Sequence, residues 1–255
     1  LQALAVASYY RVMPVDVPNT PSTPNGFFLP VEVCRLAAAD VWIFDLDNTL
    51  YSASSNLFPA IERRMAGFIA GRLGVTLEEA RRRQKRFFHE HGTTLRGLML
   101  EHDVDPLAFL EYVHAIDLSV ITPDPALDRA LGRLPGRKLV FTNASRRHAE
   151  GVMARLGIAR HFEAIHDIVA AGFLPKPDPR PYAGLVSRYD VNPARACMVE
   201  DMAGNLAPAA ALGMTTVWLR TDSAWGQPAA GDTAHIHHII DDLPAWLGAL
   251  AWSGS

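Results

Sequence analysis

The sequence predicts an α/β protein: a Rossmann-like, mostly parallel sheet with helices on both faces, plus an inserted all-helical domain. Three observations predict it. From residue 40 onward, short apolar or β-branched runs alternate with amphipathic helical stretches, the pattern of βα units. Between about Ser52 and Thr122 the alternation stops and only helical patterns occur. Polar groups able to do chemistry stand just beyond the apolar runs, where open parallel sheets bind ligands.

Val41-Trp42-Ile43-Phe44 is the first buried strand, and Lys138-Leu139-Val140-Phe141 the second. Cys197-Met198-Val199 and Thr215 to Leu219 follow, and His235 to Ile240 closes the set. The helices between them carry recognisable ends. Asp124-Pro125 and Asp178-Pro179 read as an N-cap followed by Pro at the first helical position. Gly157 and Gly213 follow apolar helical stretches, where a left-handed residue is expected.

In the insertion, Phe58, Ile61, Met65 and Phe68-Ile69 fall on one helical face. Thr76-Leu77-Glu78-Glu79 is a capping box opening a second helix. Asp105-Pro106 opens another, with Leu107, Leu110 and Val113-His114 spaced for burial. The expected division is an extension over 1–39, a core over 40–51 and 123–255, and a helical cap over 52–122. The extension holds Pro14, Pro18, Pro21, Pro24 and Pro30 and reads as an extended or disordered arm, with a truncated export signal as the alternative.

Composition excludes some functions. A net charge of -3 supplies no field drawing the chain to nucleic acid or acidic membranes. No apolar run approaches the roughly 20 residues a membrane span needs. Two cysteines far apart, Cys34 and Cys197, fit a reduced cytoplasmic protein without a disulfide. Composition leaves monomer and homodimer open.

The chemistry-bearing groups are Asp45 and Asp47, Thr142-Asn143, Lys176, and Glu200-Asp201. Crowded carboxylates of this kind suit Mg²⁺, a hard cation that takes oxygen ligands and substrate phosphate. Lys176 adds a point charge. The Thr142 hydroxyl and the N–H groups opening the helix from about Ser145 can donate to phosphate oxygens. A carboxylate nucleophile at Asp45 would split a slow hydrolysis into two steps through an aspartyl-phosphate. Asp47 can pass a proton to the leaving alcohol and take one from water.

These residues carry a family resemblance. Asp45-Leu46-Asp47-Asn48-Thr49-Leu50, Thr142-Asn143, Lys176 and Glu200-Asp201 resemble, in order, the four motifs of the haloacid dehalogenase superfamily of phosphatases, over about residues 40–245. Within it the chain is most similar to the pyrimidine 5′-nucleotidase group, at Phe44 to Tyr51, Gly92 to Leu98, Phe141 to Ala144, Asn205-Leu206 and Leu212 to Thr215. The resemblance implies a nucleophile at Asp45, an acid/base at Asp47, and phosphate contacts from Thr142, Asn143 and Lys176. It implies Mg²⁺ held by Asp45, the backbone carbonyl of Asp47, and Asp201, with Glu200 orienting metal-bound water. The chain departs from the pattern at Asn205, where many members carry a second Asp, and at His91, where relatives carry Tyr.

The expected activity is Mg²⁺-dependent hydrolysis of a nucleoside 5′-monophosphate such as UMP or CMP, under a cap whose substrate contacts include Tyr51, Asn56, His91 and Arg96. A sugar phosphate or phosphoglycolate is the alternative substrate, and a non-catalytic binding protein the alternative of another class. Asp47 argues against a dehalogenase, and no residues suggest the second site of a phosphomutase. The run Arg81 to Arg86 reads as a solvated helix face. His235, His237 and His238 read as structural. Arg96 divides evenly between a salt bridge and a substrate contact.

Overall fold

Six short segments pair side by side into one sheet, all parallel, in a computed structural model that describes residues 36–222, 226–228 and 232–250. They are β1 (Val41–Phe44), β2 (Arg137–Phe141), β3 (Ala164–His166), β4 (Ala196–Glu200), β5 (Thr215–Leu219) and β6 (His238–Ile240). Their order is β3-β2-β1-β4-β5-β6. β1 therefore lies inside the sheet, pairing with β2 on one side and β4 on the other.

The run Val41-Trp42-Ile43-Phe44 is apolar throughout because both of its faces are covered. Trp42 and Phe44 enter one core with Leu127 and Leu131 of α5 (Pro125–Arg133), Val152 of α6 (Arg146–Leu156) and Leu247 of α9 (Leu243–Ala249). Val41 and Ile43 enter the other, with Tyr182 and Leu185 of α7 (Pro179–Arg188) and Ala209 of α8 (Ala207–Ala211). Alternate residues of a strand point to opposite faces, so one four-residue strand feeds both cores. The predicted caps form: Asp124 accepts from Ala126 N and Leu127 N, Asp178 from Arg180 N, and Gly157 and Gly213 adopt φ of 79° and 95°.

Among the described residues no strand falls between β1 and β2. That stretch forms α1 (Leu57–Leu73), α2 (Leu77–His91), α3 (Thr94–His102) and α4 (Pro106–His114). They share a third core of Ile69, Phe87, Leu98, Phe109 and Val113, joined by Ile168 from the loop after β3. Thr76 caps α2 by accepting from Glu79 N at 3.2 Å. The Glu79 carboxylate does not return to the Thr76 backbone; it pairs with Arg82 and Arg83. Only half of the expected capping box forms. No helix among the described residues is long and apolar enough to cross a membrane.

Three expectations are corrected. β3 adds a strand that the sequence does not signal: three residues, Ala164-Ile165-His166, are too short to show a period. The last strand is shorter than 235–240, because His235 lies in a turn and His237 N bonds Thr216 O at 3.2 Å before the ladder begins. Leu107 is 58% exposed rather than buried; Phe109, Leu110 and Val113 set the inward face, and Leu107 lies roughly a third of a turn from it. Cys197 is buried in no disulfide, while Cys34 and residues 1–35 lie outside the described residues.

Candidate active site

The carboxyl ends of β1, β2 and β4 adjoin, and each delivers a polar residue to one cavity. Asp45 follows β1 and its N–H continues the ladder to Val199 O at 3.0 Å. Thr142 follows β2 with its N–H on His166 O at 3.1 Å. Glu200 ends β4, and Asp201 is next. Lys176 arrives from a loop. Its ammonium donates to Asp45 Oδ1 at 2.7 Å, Glu200 Oε2 at 2.6 Å and Phe141 O at 2.9 Å. All three ammonium donors are thereby used.

Asn143 holds that loop. Its Oδ1 accepts from Lys176 N at 2.9 Å and its Nδ2 donates to Lys176 O at 3.4 Å. The side chain thus clamps the lysine backbone, while Asn143 also lines the cavity. The Thr142 Oγ1 accepts from Ala144 N at 2.9 Å, leaving its O–H to donate into the cavity it lines.

Asp45, Glu200 and Asp201 carry oxygens within 4.8 Å of one another. All are nearly inaccessible, and Lys176 is the cation bonded among them. Burial, then Glu200, raises the Asp45 carboxyl to about 7, against the lowering pull of Lys176. Burial and the same carboxylate neighbours raise Asp201 well above its ordinary value. Burial alone would lower Lys176, but Asp45 and Glu200 outweigh it and hold its ammonium above the usual range. Glu200 is further anchored by Asn205 Nδ2 at 3.0 Å and Met202 N at 3.3 Å. Among the described residues no donor reaches the Asp201 carboxylate. This excess of buried negative charge, with oxygen donors aimed at one point, fits a divalent cation. Asp45 and Asp201 are the carboxylates best placed to hold it, since Glu200 is committed to Lys176 and Asn205.

Asp47 sits differently. Tyr51 Oη donates to its Oδ1 at 2.7 Å, and His148 Nε2 lies 3.0 Å from the same oxygen. Burial would raise this carboxyl, but His148, followed by the Tyr51 bond, holds it below its ordinary value. The His114 ring, from the last turn of α4, stacks on His148 at 4.4 Å and 18°. Its Nδ1 is 2.9 Å from Ser145 Oγ, the N-cap of α6. Burial, then the neighbouring His148, pushes His114 down to about 3.

Of the four cap-side residues expected at the substrate, only Tyr51 reaches the site, through Asp47. Asn56 ends a short 3₁₀ turn and donates to Ser54 O at 3.3 Å. His91 bonds Glu101 at 2.8 Å, in a network with Arg86. Arg96 is not among the residues that line the cavity. The cavity wall comes instead from Phe58, Met65, Phe88, Phe109 and Val113, with Gln84 and Lys85 as polar members. The rest of the basic run behaves as a solvated face: Arg82, Arg83 and Arg86 pair with glutamates of the cap helices. His235 and His237 bond Ala203 O and Thr216 respectively, as structural residues.

Fold and site together define a hydrolase of the kind that works at the carboxyl edge of a doubly wound sheet. A family model described as haloacid dehalogenase-like hydrolase matches residues 39–213, and the chain belongs to that family. It is similar to phosphate metabolism protein 8 of Saccharomyces cerevisiae, 29% identical over 223 residues. That match covers 80% of this chain and 63% of the yeast protein's length. A HAD phosphatase from Thermococcus onnurineus superposes with a TM-score of 0.55 at 18% identity, covering 79% of this chain and 93% of that one. A dehalogenase with an intermediate complex gives 0.51 at 18% identity, covering 85% and 99%. The fold is thus shared by phosphatases and dehalogenases, and the choice between them falls to the side chains.

Proposed function

We propose that this hydrolase is a Mg²⁺-dependent phosphatase acting on a small phosphate monoester, with a pyrimidine nucleoside 5′-monophosphate as its substrate. The observation that carries the phosphatase reading is the pair of aspartates at one strand end in two environments. Asp45 is ion-paired with Lys176, and Asp47 is bonded by Tyr51 and His148. One carboxylate attacks phosphorus while the other handles protons.

In the first step an Asp45 oxygen bonds to phosphorus and the bond to the leaving alcohol breaks. Asp47 gives a proton to the leaving alcohol's oxygen. In the second, water attacks phosphorus, Asp47 takes the water's proton, and the bond to Asp45 breaks, releasing inorganic phosphate. Lys176 and the Thr142 hydroxyl balance phosphate charge, and Asn143 keeps the lysine loop in place. Asp45, Asp201 and the Asp47 backbone carbonyl would hold Mg²⁺, which when bound neutralises charge on the phosphate and the carboxylates. Helices α1 to α4 act as the cap, excluding water over the leaving group.

Two features support a nucleotide. The cap-side wall is aromatic and apolar, suited to a base, and Gln84 and Lys85 offer polar groups along it. The similarity to a yeast protein named for phosphate metabolism agrees with phosphate release. The test is kcat/KM across UMP, CMP, purine nucleotides, a hexose phosphate and phosphoglycolate with Mg²⁺. Pyrimidine nucleotides are expected to lead. A strong preference for a non-nucleotide replaces the substrate and leaves the chemistry. Folded protein that releases no phosphate from any of them, or from an aryl phosphate, overturns the phosphatase reading.

A further inference from the structure

The His148 side chain is fully buried, whereas the Asp47 side chain remains 17% exposed. The ring has one polar contact, Nε2 to Asp47 Oδ1 at 3.0 Å, and its Nδ1 is buried without a hydrogen-bond partner among the described residues. Asp47 Oδ1 accepts from Tyr51, and the proton of the acid form sits on the other oxygen, so Oδ1 accepts from His148 too and Nε2 carries the hydrogen. An imidazole placed to fill space would leave two polar atoms out of water for nothing, and an apolar side chain would fill the same place at lower cost. Its position makes sense through the one bond it forms.

We propose, building on the phosphatase reading, that His148 is a positioning residue for Asp47, fixing which carboxylate oxygen meets the substrate. Tyr51 and His148 both bind Oδ1, from two separate elements: Tyr51 lies four residues beyond Asp47, and His148 in the first turn of α6. Oδ2 has no donor among the described residues, so it is the oxygen free to pass a proton to the leaving alcohol and later to accept one from water. The His114 stack and its bond to Ser145 fix the plane of the His148 ring. His114 belongs to the last cap helix, so the cap braces the group that holds the acid/base. Without His148 one donor remains, and the carboxylate can turn about its Cβ–Cγ bond.

The test compares His148→Asn with His148→Gln in the full chain. A Gln amide nitrogen reaches the place of Nε2; an Asn amide, one carbon shorter, falls short of Asp47. Two Mg²⁺-supported substrates are used: UMP, whose alcohol needs a proton to leave, and p-nitrophenyl phosphate, whose phenolate leaves without one. Values of kcat/KM report the first phosphoryl transfer in both cases. His148→Asn is expected to lower kcat/KM for UMP by about 100-fold, as for lost acid catalysis, and for the aryl ester by less than about tenfold. His148→Gln is expected to recover most of the UMP loss. Equal losses on both esters, no loss, or Gln no better than Asn overturns the proposal. Should His148→Asn fail to fold, His148→Gln still decides: it must keep UMP turnover within about tenfold of the wild type, well inside the range acid–base catalysis contributes. A folded wild type inactive on both esters and on the other monophosphates overturns the phosphatase reading itself. An active wild type with the wrong variant pattern overturns only the role of His148.

Discussion

Replacing Lys176 by Met keeps most of the apolar stem and deletes the ammonium. Three acceptors then lose their donor: Asp45 Oδ1, Glu200 Oε2 and Phe141 O, at 2.7, 2.6 and 2.9 Å. Asp45 and Glu200 are left buried side by side, with side chains 8% and 1% exposed. Breaking a buried ion pair by removing one partner costs about 3–5 kcal/mol. That range applies to metal-free protein, because a bound cation would offset part of it. The loss depends on pH. Folded Asp45 already stands at about 7 against its ordinary 3.8, raised by burial and Glu200 and lowered by Lys176. A raised carboxyl means the folded state holds a proton that the unfolded chain has released, so stability falls as pH rises through that window. Deleting Lys176 removes the lowering influence and deepens the fall. Urea unfolding in chelator, at about pH 5 and about pH 8, is the assay, and the deficit of Lys176→Met should be the larger at the higher pH. A deficit under about 1 kcal/mol at the higher pH, the level of an exposed pair, would refute the reasoning. So would a deficit that shrinks as pH rises.

Other outcomes follow from the same geometry. Chelation should abolish phosphate release and added Mg²⁺ restore it. Asp201→Asn should raise the Mg²⁺ concentration needed for half-maximal activity by at least about tenfold, since it removes one anionic oxygen ligand. Removing Lys176 should also lower kcat/KM by about 10²–10³-fold or more, the scale of a lost charge-stabilising donor. In the cap, a Cβ at Gly97 would lie 2.5 Å from Phe87 atoms, so Gly97→Ala should destabilise by about 1–3 kcal/mol in thermal unfolding. Leu107→Ala, on the exposed side of α4, should change stability by less than about 0.5 kcal/mol.

The parts of this molecule visible in the sequence are those set by local pattern. Val41 to Phe44 and Thr215 to Leu219 show as strands because burial on both faces makes the runs apolar or β-branched. Asp45, Thr142 and Glu200-Asp201 could be placed at one edge because each follows such a run. Lys176 could only be allowed to reach it, and the structure puts its ammonium between Asp45 and Glu200. What stayed hidden depends on contacts across long stretches of chain. His148 looks like any helix residue until α6 brings it to Asp47, 101 residues away. The available signal was its place in the first turn of the helix after Thr142-Asn143, which a doubly wound sheet directs toward the same edge. Asn143 reads as a phosphate contact, and the sequence gives no sign that its amide also holds the Lys176 backbone. Asn56, His91 and Arg96 read as substrate contacts from the sequence, but helix packing, which the sequence does not print, turns other residues to the cavity.

The central claim is that Asp45 carries the phosphoryl group between the two steps. The direct measurement is acid quenching during turnover of a ³²P-labelled ester with Mg²⁺, followed by mass spectrometry of the peptide spanning Asp45. The account predicts a phosphoryl group on Asp45, formed and lost at rates matching turnover, and absent from Asp45→Asn. Label on another residue, or full phosphate release by folded Asp45→Asn, would contradict it.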